Sequence, residues 1–150
     1  MFVRHVRLLL ATVWAGSLWA IGYIVAPILF STVEDKALAG TIAGTLFQAE
    51  AWLSLVCGLL LVFLCNSTVY KLSIKEHRFV LLLIVGMLTC TLTGYFALHP
   101  YLLDLRALMH GAVGADLIAV KSKFGLLHGL SSVIYLLESL LAVALILKIR

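Results

Sequence analysis

The chain has 150 residues, of which 63% are hydrophobic and 12% charged, far from the soluble balance of about half apolar and a quarter charged. That composition excludes a water-soluble monomer and calls for a bilayer. The net charge of +4 does not point to nucleic acid, because the bases sit just outside the apolar runs and form no continuous stripe beside exposed aromatics.

The first apolar run, residues 8–30, holds no charged residue and is long enough to cross about 30 Å of hydrocarbon at about 1.5 Å per residue. Arg4, His5 and Arg7 precede it in the manner of a signal peptide. The run outlasts a signal core and ends in no small-residue cleavage site, so it is expected to be retained as a span. Pro27 falls near its far end, where a bend costs least. Ser31-Thr32-Val33-Glu34 has the S-x-x-E form of a capping box and predicts a new helix start.

From Ala37 to Tyr70 the only charged residue is Glu50, and the stretch exceeds what a bilayer needs. The second span is placed at about 45–66, with its helix extended beyond the outer face and Glu50 in the outer third. Gly40 and Gly44 form a small-xxx-small pair that would let another helix approach closely.

Residues 66–78 are short, polar and basic and predict a tight turn. The third span, about 79–98, is ended or kinked by His99-Pro100, with Tyr95 and Tyr101 flanking that end as interfacial anchors. Gly86 and Gly94, with Cys90 and Ala97, give this helix a small-residue packing face. Residues 101–123 mix short apolar groups with charges, and Gly111 and Gly114 weaken a helix there, so a partly helical segment lying on the outer surface is expected. The fourth span runs over about 124–147.

These elements predict an all-α, integral-membrane four-helix bundle formed by residues 1–150 as one domain, since no linker-like stretch divides it. Arg4, Arg7, Lys71, Lys75, Arg78, Lys148 and Arg150 mark the end that carries both termini; Lys36, Arg106, Lys121 and Lys123 mark the other. The positive-inside rule then places both termini in the cytoplasm, in a bacterial inner membrane. Cys57, Cys65 and Cys90 lie within apolar runs, form no CxxC pair and read as small core residues.

Ionisable groups inside spans are costly and need partners or protonation. Glu50, His99 and His128 come from three helices at what the sequence suggests is one depth on the outer side, with Tyr95 a turn from His99. They make a candidate ligand pocket. Imidazole with carboxylate suits a transition metal held by His99, His128 and Glu50, and two facing imidazoles suit haem iron. Bonding among these groups or to interfacial water is the plainer alternative, and a cofactor is no more indicated than none. On the fourth helix His128, Ser131, Ser132, Tyr135, Glu138 and Ser139 recur at helical spacing as one polar seam. Such a seam can carry protons or ions, or simply join helices. No nucleophile elbow, P-loop, HExxH or dinucleotide motif is present, so the chain is expected not to be an enzyme.

The stretches Trp14-Ala-Gly-Ser17 and Val25-Ala-Pro-Ile-Leu-Phe30, with Ala39-Gly-Thr-Ile-Ala-Gly-Thr-Leu-Phe47 and Phe124-Gly-Leu-Leu-His-Gly-Leu-Ser131, resemble the transmembrane-protein-205-like domain of unknown function 4149. The resemblance covers most of the chain and implies a small four-helix membrane domain without an assigned activity. A more distant likeness to copper-resistance membrane proteins of the CopD type implies a metal or haem on the outer side. The expected function is a non-enzymatic membrane module with a ligand pocket. A structural subunit that docks a second copy or another membrane protein, and an ion or metal transporter using the fourth-helix seam, are the alternatives.

Overall fold

The computed structural model describes residues 2–66 and 74–149, without the side chain of His110. Four helices long and apolar enough to cross a membrane make up nearly all of it, and no strand occurs among the described residues. The chain is an all-α, integral-membrane four-helix bundle.

Helix α1 is α-helical over Phe2–Trp19, widens to a π-helix over Ala20–Val25 and returns to α-helix over Ala26–Thr32. Helix α2 spans Lys36–Asn66. Helix α3 repeats the pattern of α1, with α-helix over Ile74–Thr91, π-helix over Leu92–Leu98 and α-helix over His99–Gly111. Helix α4 runs unbroken over Gly114–Lys148.

The two π segments have one cause. A proline inside a helix has no N–H to donate, and its ring meets the carbonyl four residues earlier. Each π segment ends two residues before a proline, Pro27 in α1 and Pro100 in α3, and each proline opens the next α-helical segment. Widening the turn, as where the Ala26 N–H reaches back to the Ile21 carbonyl, lets the helix pass the proline without ending. Of the two outcomes the sequence allows at His99-Pro100, an end or a disturbance of the helix, the second is found: α3 continues beyond it.

Other expectations shift at the same end. Ser31 and Thr32 stay in α1, their hydroxyls donating to the Ile28 carbonyl at 2.9 and 2.7 Å, and the N-terminus of α2 is capped by Asp35, whose Oδ1 accepts from Ala37 N at 2.8 Å and Leu38 N at 3.2 Å. The Ser31–Glu34 box is thus not used. Residues 101–123 do not lie along the surface as one segment. They continue α3 to Gly111, turn through Ala112 and Val113, and begin α4 at Gly114, whose φ of +61° belongs to the region glycine favours. The four helices have 31, 31, 36 and 35 residues, so all of them, not α2 alone, exceed the roughly 20 that a bilayer requires.

The main cluster of buried apolar side chains lies in the half that carries the termini. Ala11, Trp14 and Ala15 of α1 meet Cys57, Leu61 and Cys65 of α2, Val80, Leu83, Ile84 and Met87 of α3, and Ala142 and Leu145 of α4. Arg7, counted above among the bases flanking the membrane, is 0% exposed and lies against Cys65. Lys71 and Arg150, from the same count, fall outside the described residues.

Candidate functional site

Beyond that core the bundle opens into a cavity of about 600 Å³, lined by all four helices. Its rim and walls hold Tyr23, Phe30, Phe47, Tyr95, His99, Leu102, His128, Ser131, Ser132 and Tyr135, and its floor holds Glu50, Cys90, Thr91 and Glu138. The four residues of the expected pocket, Glu50, Tyr95, His99 and His128, thus border one space.

Both carboxylates are almost fully buried, Glu50 at 4% and Glu138 at 3% exposure. Each is held by one hydroxyl. Trp14 Nε1 donates to Ser54 Oγ at 2.6 Å, and Ser54 Oγ donates to Glu50 Oε1 at 2.6 Å, joining α1 to α2 beneath the cavity. Opposite, Thr91 Oγ1 bonds Glu138 Oε1 at 2.7 Å, joining α3 to α4. Glu50 and Glu138 lie within electrostatic reach of each other. Among the described residues no lysine or arginine lines the cavity.

Tyrosine hydroxyls complete the floor. Tyr135 OH donates to the Leu18 carbonyl at 2.6 Å, and Tyr23 OH donates to Ser139 Oγ at 2.9 Å, both linking α1 to α4. Gly22 is required at this crossing, because a Cβ there would strike the Tyr135 ring. Of the predicted fourth-helix seam, His128, Ser131, Ser132, Tyr135 and Glu138 face the cavity, whereas Ser139 is buried against α1. Ser132 Oγ donates to the His128 carbonyl at 2.9 Å. Ser131 Oγ is buried and has no hydrogen-bond partner.

Near the mouth the imidazoles rest on aromatic rings, His99 stacked on Tyr95 at 4.7 Å and His128 on Phe124 at 5.9 Å between centroids. A Cβ on Gly44 would lie 3.6 Å from His99 Nε2, which sets the level of His99 against α2. Glu50 is six residues deeper, about 9 Å of helix rise. The matched depth read from the sequence therefore holds poorly for Glu50. Among the described residues no group of three or more His, Cys, Asp or Glu side chains is gathered to hold a metal ion, so the set His99, His128 and Glu50 is not assembled. The two histidines remain available as a pair to one occupant of the cavity.

The glycine pair of α2 also has a different role from the one expected. A Cβ on Gly40 would come within 2.8 Å of the Arg106 guanidinium, so Gly40 and Gly44 seat the side chains of Arg106 and His99, not another helix. Arg106 reaches on to α4, 5.9 Å from the Phe124 ring centroid, and so ties α2, α3 and α4 together at the distal end. Gly86 and Gly94 face Leu141 and Ile134 of α4. Both glycine faces are occupied within the chain.

Sequence reasoning overlooked the Gly-Tyr pairs. Gly22-Tyr23 and Gly94-Tyr95 each lie in a π segment shortly before a proline and each borders the cavity. The repetition of Gly-Tyr followed by proline in α1 and α3 was the available signal. Ser54 and Thr91, the carboxylate partners, look in sequence like any small polar residues of an apolar helix.

These features belong to a small integral membrane protein built around a polar-floored cavity. The chain matches the family described as Domain of unknown function (DUF4149) over residues 9–111 and belongs to it. No curated protein and no solved structure matches the chain.

Proposed function

We propose that this protein is a non-enzymatic membrane module that binds a small molecule in the cavity of its distal half. The observation that carries this reading is the convergence of Glu50, Glu138, His99 and His128 on one space of about 600 Å³, within the range of small-molecule pockets of about 300–1,000 Å³. The bases of the opposite end favour a cytoplasmic location for the termini and hence an outer-leaflet position for the cavity.

A structural subunit that docks through its glycine faces gains no support from this arrangement, because Arg106, His99, Leu141 and Ile134 already cover those faces. Native mass spectrometry of protein released gently from membranes tests the binding reading. A discrete small-molecule adduct at one per chain, lost in Gly94→Leu where the new side chain would fill the cavity, is expected. The bare mass alone, for wild type and variant alike, would contradict it.

A further inference from the structure

The helices around the cavity are unevenly packed. In the terminal half α1 packs on both α2 and α4, but in the distal half the backbone of Ala26–Thr32 approaches α2 and, among the described residues, no other helix. The last ties between α1 and α4 are the Tyr135 bond to Leu18 and the Tyr23 bond to Ser139, both at the cavity floor. Arg106 meanwhile ties α2, α3 and α4 together across the distal end. Beside the cavity, then, Arg106 braces α2, α3 and α4, whereas the backbones of α1 and α4 part on the side that faces lipid.

Charge decides what fits. The floor presents two carboxylates, each with one oxygen bonded to a hydroxyl, and among the described residues no lysine or arginine lines the space they share. Bringing two carboxylates into one low-dielectric space is costly unless a proton or a cation is shared between them. The walls above are apolar and aromatic, with Tyr23, Phe30, Phe47, Tyr95 and Tyr135 among their residues, and aromatic side chains of this kind attract organic cations. A hydrated metal ion would have little use for such walls, and His, Cys, Asp and Glu side chains gather into no three-ligand set among the described residues. An anion would meet the carboxylates.

We infer that the cavity takes a lipophilic organic cation, which enters from the bilayer between α1 and α4 and lodges its positive charge between Glu50 and Glu138. The inference rests on the reading of the cavity as a ligand pocket and names the class of ligand.

Cys90 lines the same floor and supplies the readout. Protein in phosphatidylcholine nanodiscs is alkylated with N-ethylmaleimide in the presence of tetraphenylphosphonium or tetraphenylborate, two ions of one shape and opposite charge, and modification of Cys90 is followed by peptide mass spectrometry. The cation is expected to slow Cys90 alkylation about tenfold, the scale of one charge-assisted contact, and the anion to leave it nearly unchanged. Glu50→Gln with Glu138→Gln should abolish the protection. Equal protection by both ions, or preference for the anion, would overturn the cation site while leaving a pocket. Protection by neither ion would also overturn it, and the adduct measurement above then decides separately whether the cavity holds a ligand at all. The comparison of ions within the wild-type protein stands even if the double variant does not fold.

Discussion

The two halves of this bundle are built from the same four helices and to opposite ends. In the terminal half, Trp14, Leu61, Ile84, Met87 and Leu145 are fully buried and belong to one packed cluster. In the distal half, π turns at Ala20–Val25 and Leu92–Leu98 widen two of the helices, α1 leaves α4, and the space between them stays open. Lipid tails are as apolar as leucine, so helices in a bilayer associate through packing and hydrogen bonds more than through any drive to leave the solvent. The terminal half supplies the packing that holds the bundle together, and this frees the distal half to remain hollow.

Substitutions should separate the halves by size of effect. Trp14→Ala removes the largest buried side chain together with the donor to Ser54, and should cost about 4 kcal/mol of unfolding free energy, read by denaturant titration in mixed micelles. Gly22→Ala drives a methyl group into the Tyr135 ring at the crossing of α1 and α4, and should cost about 2–3 kcal/mol in the same titration. A loss as large as that of Trp14→Ala would show that the crossing belongs to the packed half. Ser54→Ala strips the partner from both Trp14 and Glu50 and should cost about 2 kcal/mol, less if water in the cavity reaches Glu50. Ser131→Ala removes a hydroxyl that bonds nothing among the described residues, and should leave stability within about 0.5 kcal/mol of wild type. A substantial destabilisation by Ser131→Ala would mean that the wall of the cavity is structural.

The same division explains what could be read from the sequence. The four spans were legible because uncharged runs of sufficient length have one stable solution in lipid, and the sites of both prolines were legible as places of backbone disturbance. Their outcome was not, since whether a helix ends at Pro100 or widens before it depends on what packs beside it. The carboxylates and imidazoles were conspicuous as ionisable residues within apolar runs. Their relative depth required the register of α2 against α3, fixed by Gly44 beneath His99, and sequence spacing alone does not reveal that register. Arg7 looked like a flanking base, and only the packing of α1 against Cys65 shows it to be enclosed. The cap of α2 was missed by a single turn, because Ser31 can also bond back to a carbonyl of its own helix, as it does.

The contrast between a packed half and a hollow half is most directly tested by the three cysteines, which sample both. Cys57 and Cys65 are each 2% exposed in the core, whereas Cys90 is 8% exposed and borders the cavity. When the folded, ligand-free protein in lipid is exposed to a small membrane-permeant maleimide and each site is followed by peptide mass spectrometry, Cys90 should react at least about tenfold faster than the other two, which wait for local unfolding. Equal rates at all three positions would contradict the account, for they would place Cys90 in a core as tightly packed as that around Trp14.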